Sequence, residues 1–309
     1  MRSYYIVSHG KLIKKDNTLM FQNKNKEQVI PIEDIKDMFV VASVSITSEV
    51  LKLFSKKGVV VHFFSVYGNY LGSFFPKNEH ELGSLIISQV RHYEDQEKRL
   101  YLAKEFIKGA ISNCGKLLDI EFDSFLDKLK GVNTISELMG IEANFRKLYY
   151  KTLEAKTELY FGKRTKRPPT TELNTLISFG NSLLYGKIAS QLYSSSLNIH
   201  ISYLHEINQK RFSLALDLSE IFKPIIVDFV ILKLAKEGTF QKEFFKRQKD
   251  KLLLTNNGFK TFIKAFDDRF NETIKIDEKE YTLITAIKAE IIKLIKHFEA
   301  KELYKALVL

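Results

Sequence analysis

The sequence has a single cysteine, Cys114, and this scarcity excludes two kinds of architecture. A disulfide framework needs cysteines in pairs, and a cysteine-based zinc site needs several of them. Long apolar stretches are also missing, since no run approaches the roughly 18 uninterrupted apolar residues of a membrane span. The opening residues MRSYY lack the apolar region of a signal peptide. These absences predict a soluble, cytoplasmic protein with no membrane partner.

The composition is that of a globular protein with an excess of positive charge. Among 309 residues, 45% are hydrophobic, and 48 Lys and Arg against 37 Asp and Glu give a net charge of +11. The length favours two domains with a sizeable core. The basic excess favours a polyanionic partner. An AT-rich genome, which favours lysine codons, would produce the same excess, so charge alone leaves the partner open.

The first 75 or so residues have the pattern of β-strands. The apolar run 38–42 is typical of a strand buried on both faces, and 59–64 is the strongest strand pattern in the chain. A helix is predicted over 47–57, and a turn after 64 leads to a hairpin strand at 71–75. The remaining predicted strands are 4–7, 19–21 and 27–31.

Beyond Pro76 nearly every window has helical spacing, so the predicted fold class is α+β with two domains. We predict a β-rich domain over 1–76, a linker over 77–84 and a larger all-helical catalytic domain over 85–309. The predicted helices in that domain, besides the one described next, lie at about 86–112, 171–194, 213–238 and 280–306.

A capping box opens one further helix. The Thr134 hydroxyl and the Glu137 carboxylate are spaced to satisfy each other's free backbone amides. Helical periodicity then predicts a buried stripe consisting of Leu138, Ile141, Phe145, Leu148 and Tyr149. Glu142 falls on the same stripe, where a carboxylate costs on the order of 2–7 kcal/mol unless a charged or hydrogen-bonding group meets it. One such partner would be Arg146 at i+4.

Three further polar residues stand out in the same way. His205 ends an aromatic-rich segment at the edge of a polar loop, where a ligand can face substrate, although both His200 and His205 are also compatible with structural roles. Asp217 and Glu220 are three apart in an apolar helix, so their carboxylates share a face. They would repel each other unless a cation lies between them. The open alternative is that they complement the helix dipole.

Two carboxylates and one imidazole form a hard, oxygen-rich ligand set. Glu142, His205 and Glu220 are therefore predicted to hold Mg²⁺ or Mn²⁺ and to act on phosphodiesters. Clusters of basic residues stand beside these acids and predict contacts to nucleic acid, although a merely solvated loop remains an alternative for the first cluster. The basic residues are Lys163, Arg164, Lys166 and Arg167, then Lys210 and Arg211, then Lys246 and Arg247.

The ordered series of motifs resembles one known family across nearly the whole chain. A β-rich domain of about 75 residues precedes MGIEA at 139–143, KRPPT at 166–170, NTLISFGNSLLY at 174–185, YLHE at 203–206 and SLALDLSE at 213–220. This closely resembles the CRISPR-associated endonuclease/integrase of spacer acquisition, the first of the core CRISPR proteins. The resemblance implies that Glu142, His205 and Glu220 are the metal ligands and that Asp217 sits beside the metal. The family often has aspartate where Glu220 stands, which leaves open whether Asp217 or Glu220 is the third ligand.

The resemblance also implies partners and an activity. Asn174, Ser178 and Tyr185 match family positions that line the site and guide DNA. The implied assembly is a homodimer formed through the β-domains, in complex with the small second core CRISPR protein. The implied activity is insertion of short foreign DNA fragments into a CRISPR array. Two rivals remain, a metal-dependent nuclease acting on branched DNA or RNA without an integration role, and a non-catalytic nucleic-acid-binding module.

Overall fold

The structure, a computed structural model, describes residues 2–77, 82–165, 168–276 and 279–309. Strands dominate the chain up to Phe74 and helices dominate it from Gly83 onward, which confirms the predicted α+β class. No helix in the described residues is long and apolar enough to span a membrane. Of the predicted linker, residues 78–81 lie outside the described ranges.

Two four-stranded sheets and one helix form the N-terminal part. Its elements are β1 (Arg2–Ile6), β2 (Gly10–Lys15), β3 (Thr18–Gln22), β4 (Glu27–Ile30), β5 (Ile35–Val40), β6 (Val44–Ile46), α1 (Ser48–Lys57), β7 (Val60–Phe64) and β8 (Tyr70–Phe74). The sheet orders are β1-β5-β7-β8 and β4-β3-β2-β6. Leu12, Phe54 and Val61 are fully buried in the core that these sheets share with α1. Every predicted strand in this part is present within a few residues of its predicted position.

Strands β2 and β6 were not predicted. Gly10 reads as a turn residue in the sequence, yet it begins β2. The neighbouring strand explains the glycine, because a Cβ at position 10 would lie 2.5 Å from the carbonyl oxygen of Gln22. Glycine inside a strand often marks such a close backbone approach.

Helices make up most of the second part. Its elements are α2 (Gly83–Glu94), α3 (Gln96–Leu118), α4 (Asp123–Lys130), α5 (Ile135–Thr157), α6 (Glu172–Tyr193), α7 (Ser213–Phe222), α8 (Phe229–Lys236), β9 (Phe245–Gln248), β10 (Lys251–Leu254), α9 (Asn256–Asn271), β11 (Thr273–Ile276), β12 (Lys279–Thr282) and α10 (Leu283–Phe298). The antiparallel hairpins β9–β10 and β11–β12 were not predicted. This part is therefore mainly, but not entirely, helical.

Three of the predicted helices are shorter or more broken than expected. The single helix at 86–112 is wrong, because Asp95 leaves the helical conformation and its carboxylate caps the amides of Glu97 and Lys98 at the start of α3. The helix at 213–238 is interrupted by a π-helical turn, Lys223–Asp228, that contains Pro224. A proline inside a helix removes one backbone donor and disturbs the preceding turn. Residues 280–282 belong to β12, and α10 ends at Phe298 rather than at 306.

Helix α5 begins close to the predicted position. Thr134 Oγ1 accepts the Glu137 amide at 3.2 Å, but the Glu137 carboxylate accepts the amide of Asn133 instead of Thr134. The predicted stripe holds for Leu138, Phe145 and Tyr149, which are fully buried, and Ile141 is partly buried. Leu148 is 41% exposed, so its predicted burial is wrong. Leu148 lies between the buried Phe145 and Tyr149 in sequence, but its own side chain is on the solvent side of α5.

The two parts of the chain share an apolar interface. Phe39 and Phe64 of the first sheet belong to the same buried cluster as the helices. At this interface His62 is fully buried, and its ring nitrogens contact the hydroxyls of Ser73 and Ser190 at 2.5 and 2.7 Å. Burial lowers the pKa of His62 to about 4, so the imidazole is neutral at physiological pH. The hydrogen bond between His62 and Ser190 thus joins the sheet β1-β5-β7-β8 to helix α6.

Candidate active site

Three elements bring the predicted acids and imidazole to one cleft. Helix α5 supplies Glu142, helix α7 supplies Glu220, and the segment before α7 supplies His205, and all three line a cleft of about 720 Å³. Helical periodicity explains the placement of Glu142, because Leu138 and Phe145 anchor the same side of α5 in the core. The fold therefore brings together three residues that were predicted from the sequence.

Asp217 holds His205 in one orientation. It is fully buried, and its carboxylate accepts the amides of Tyr203, Leu204 and His205 at 2.7–3.0 Å. His205 Nδ1 lies 2.8 Å from Asp217 Oδ1. Because an ionised carboxylate can only accept, Nδ1 carries a proton, so Nε2 is the ring nitrogen left to bind a ligand. Nε2 lies on the Glu220 side, 3.9 Å from Glu220 Oε1.

Glu142 and Glu220 are both paired with cations. Arg146 donates from Nε to Glu142 Oε1 at 2.8 Å and from Nη2 to Glu220 Oε2 at 3.0 Å. Lys223 donates to Glu220 Oε1. Burial alone would raise the pKa of Glu220, but Lys223, Arg146 and His205 together lower it to about 2. Glu220 is therefore an ionised acceptor throughout the physiological range, and the i+4 pair of Glu142 with Arg146 is present.

The donor chemistry of this site fits a divalent ion. Two carboxylates and an imidazole whose far nitrogen is held by a buried carboxylate are a common ligand arrangement for such ions. In the described part of the chain, however, no three Asp, Glu, His or Cys side chains are grouped closely enough to hold an ion. Arg146 instead bridges the two glutamates of the cleft. Asp217 has its oxygens fully engaged by other donors, which favours Glu220 over Asp217 as the third ligand.

A buried polar layer lies beneath the cleft. Tyr149 donates to Asp228 Oδ2 at 2.6 Å, and both residues are buried. Burial raises the pKa of Asp228 to about 6, although Tyr149 and the nearby cations oppose the rise. The Cys114 thiol accepts from Arg146 Nη1 at 3.3 Å, and burial raises its pKa to about 12. The only cysteine is therefore an inert neighbour of Arg146 rather than a nucleophile.

The residues predicted to contact DNA have different surroundings. Lys163 and Arg164 line the cleft. Arg164 Nη1 donates to Asn174 Oδ1 at 2.9 Å and to Ser178 Oγ at 3.1 Å, so these two side chains position Arg164. Asn174 is fully buried and has no surface for direct DNA contact. Lys166 and Arg167 lie outside the described residues.

The remaining predicted contacts lie apart from the cleft lining. Tyr185 is buried in an aromatic cluster, and its hydroxyl accepts the amide of Phe212 at 2.7 Å. Lys210 is exposed, while Arg211 donates to the Glu206 carbonyl oxygen. Lys246 and Arg247 are exposed on β9. Their contact with DNA stays a prediction.

Several residues of the cleft were not predicted from the sequence. Besides the predicted ligands, α5 contributes lysines and a further glutamate to the lining, and Lys223 follows Glu220 at i+3. A four-residue repeat from Glu142 would have revealed part of this set, since positions 146, 150 and 154 fall on the same side of the helix. The missed lining residues on α5 are Lys147, Lys151 and Glu154.

The fold and the cleft together define a class of protein. A β-rich part is joined to a mainly helical part that carries paired carboxylates, an oriented imidazole and a cationic rim, which is an arrangement suited to binding and attacking phosphodiesters. A family model described as CRISPR associated protein Cas1 matches residues 4–268. The chain belongs to the Cas1 family.

Individual relatives match over almost the full length. CRISPR-associated endonuclease Cas1 from Pyrococcus horikoshii is 41% identical over 312 residues, covering 98% of this chain and 97% of that protein. CRISPR-associated endonuclease Cas1 2 from Moorella thermoacetica is 38% identical over 314 residues, covering 98% of each. The solved structure of a Cas1 protein from Thermotoga maritima has a TM-score of 0.91 at 34% identity and covers 99% of this chain and 100% of its own.

Two more distant structures share the fold. A casposase bound to integration product has a TM-score of 0.90 at 24% identity, covering 99% of this chain and 93% of that one. A chain of a Cas6-RT-Cas1–Cas2 complex has a TM-score of 0.84 at 17% identity, and the match covers 99% of this chain and 36% of that one. These two matches establish the architecture only.

Proposed function

We propose that this chain is a divalent-metal-dependent DNA endonuclease and integrase that inserts short foreign DNA fragments into a CRISPR array as new spacers. Family membership supports a nuclease or integrase role in the CRISPR system, and the casposase of the same fold was solved with an integration product. The observation that carries the proposal is the convergence of Glu142, His205 and Glu220 on one cleft, with His205 oriented by buried Asp217.

Four residues at the cleft have a role in the metal chemistry of this proposal. Glu142, Glu220 and His205 Nε2 would hold Mg²⁺ or Mn²⁺. The bound ion would polarise the scissile phosphate and help to activate a DNA 3′-hydroxyl, or water, for in-line attack. Asp217 keeps the imidazole proton on Nδ1, which leaves Nε2 free to coordinate.

The cationic rim supports the DNA backbone. Exposed Lys147, Lys151 and Lys163 line the cleft opening, where they would neutralise phosphates of the substrate strand. Arg164 would do the same, braced by Asn174 and Ser178. Negative charge that develops on the phosphoryl oxygens would be stabilised by these groups.

The assembly belongs to the same proposal. We expect a homodimer formed through the β-rich parts, which expose Val29 on the edge strand β4 and Leu71 on the edge strand β8. We also expect a complex with the small second core CRISPR protein and with double-stranded DNA fragments. The Cas1–Cas2 complex of the same fold supports this expectation.

Product analysis tests the proposal against its rivals. Purified protein with its small partner is given a labelled fragment that ends either in a 3′-hydroxyl or in a 3′-deoxy nucleotide, together with repeat DNA and Mn²⁺. An integrase joins only the 3′-hydroxyl fragment to the repeat. Cleavage without joining would indicate a plain nuclease, and binding without either product, unaffected by Mn²⁺, would indicate a binding module.

A further inference from the structure

Arg146 occupies the space between the two glutamates of the cleft. Its Nε bonds Glu142 and its Nη2 bonds Glu220, at 2.8 and 3.0 Å. The third nitrogen, Nη1, donates to the Cys114 thiol at 3.3 Å. The Arg146 side chain is only 10% exposed, so the guanidinium is fixed by three partners in a largely dry setting. It is placed where it bridges both carboxylates proposed as ligands.

Among the four side chains that are directly paired, the charges balance without any added ion. Glu142 and Glu220 contribute two negative charges, and Arg146 and Lys223 contribute two positive ones. A buried Glu220 and a partly buried Glu142 with no counter-charge would be strongly destabilising. A divalent ion entering this balanced cluster would meet two cations at close range, and charges that close repel strongly in a partly buried site. The lone pairs that it needs are also engaged by Arg146 and Lys223.

We propose that Arg146 is an internal counter-cation that stands in for the divalent ion and releases at least one of the two glutamates when that ion binds. The inference rests on the metal site of the proposed function. Arg146 is then a positioning residue with two effects. It keeps Glu142 and Glu220 together in the metal-free protein, and it lowers the affinity of the site for the ion. An arginine that only organised the ligands would raise that affinity instead.

Metal titration distinguishes the two roles. Free Mn²⁺ is followed by electron paramagnetic resonance during titration of the full-length protein and of Arg146→Gln, which removes the charge, and Arg146→Lys, which keeps it. We expect Arg146→Gln to bind Mn²⁺ on the order of tenfold more tightly than wild type. Arg146→Lys keeps the charge but not the planar fork that bridges both glutamates, so its Mn²⁺ affinity should lie between those of wild type and Arg146→Gln. Equal or weaker binding by Arg146→Gln would overturn the inference.

A matched control separates this effect from general loss of an ion pair. Arg269 is 11% exposed at its side chain and pairs with Glu272 outside the cleft. Arg269→Gln should leave the Mn²⁺ affinity unchanged. In EDTA, Arg146→Gln should melt at a lower temperature than wild type, and a given Mn²⁺ concentration should raise its melting temperature more than that of wild type. Equal rises in both proteins would contradict the release of a glutamate.

The wild-type protein provides a test that does not depend on how the variants fold. In protein labelled with ¹⁵N-arginine, saturating Mg²⁺ should shift the Nε–H resonance of Arg146, assigned by its loss in Arg146→Lys. An unchanged resonance at saturation would overturn the inference while leaving the metal site intact. If wild type binds no Mn²⁺, or if Glu220→Gln does not weaken binding, then the metal site of the proposed function fails as well.

Discussion

Asp217 offers the sharpest test of how the cleft is built. Its two oxygens accept three backbone amides and the His205 imidazole in a fully buried position. In Asp217→Asn one oxygen becomes an NH₂ group, so one pair of donors loses its acceptor and faces another donor. Each buried donor left without a partner costs about 1–3 kcal/mol, which predicts a loss of about 2–6 kcal/mol in the free energy of unfolding.

The same variant should lose activity as well as stability. Without the carboxylate, the imidazole is no longer held with its proton on Nδ1, and loss of such an orienting group typically lowers metal affinity or activity about 10–100-fold. Urea unfolding and a Mn²⁺-dependent strand-joining assay measure the two effects. Asp127→Asn is the control, because Asp127 is 70% exposed and its pairing with Lys130 is a surface contact. An Asp217→Asn protein with wild-type stability and joining rate would refute the reasoning.

Three further predictions concern stability. Burial raises the pKa of Asp228 from 3.8 to about 6, so its contribution to stability is complete below about pH 4 and is lost as the pH rises through 6. The melting temperature of wild type should therefore fall for this reason between about pH 4 and pH 7, and Asp228→Asn should show a flatter fall over the same range. Asn113→Leu removes the side-chain hydrogen bonds to the backbone of residues 221, 307 and 309 and should lower the free energy of unfolding by about 2–4 kcal/mol. An unchanged midpoint of urea unfolding would contradict this expectation. Gly186→Ala would place a Cβ 2.8 Å from the Phe39 ring and should lower the free energy of unfolding in urea by about 1–3 kcal/mol. At Gly140 a Cβ meets nothing within 4 Å, so Gly140→Ala should leave that free energy unchanged. Equal effects of the two variants would refute the packing argument.

The candidate site was largely predictable because its signals are local. Glu142 lies on a helical stripe with Leu138 and Phe145, so its helix and its side of the helix follow from periodicity. The motif series supplied His205 and Glu220. The capture of His205 by Asp217 was not predictable in this way, because it depends on how the segment before α7 folds back over that helix. The bridging of Glu142 to Glu220 by Arg146 likewise depends on how α5 and α7 both pack against α3.

The fold was predictable in class but not at its interruptions. The break at Asp95 falls in a long window of helical spacing, and only the capping of α3 by that carboxylate distinguishes it. Strand β9 is mostly exposed and polar, so its sequence lacks the alternation of apolar and polar residues that predicts a strand. It becomes a strand through its pairing with β10. The last residues are held by contacts to distant parts of the chain, such as the fully buried Tyr304, whose hydroxyl donates to Glu290 at 2.7 Å and whose carbonyl oxygen accepts from Tyr101. Contacts of this kind arise from tertiary structure and leave no periodic pattern.

The most direct test of the central claim is a disintegration assay on labelled branched DNA, which requires no partner protein. Wild type, His205→Ala and His200→Ala are compared in Mn²⁺ and in EDTA, with His200 as the exposed histidine of the same segment. The account predicts rejoined linear DNA from wild type and His200→Ala in Mn²⁺ only, and none from His205→Ala. Rejoining by His205→Ala at the wild-type rate, or rejoining in EDTA, would contradict a metal-dependent strand-transfer site centred on His205.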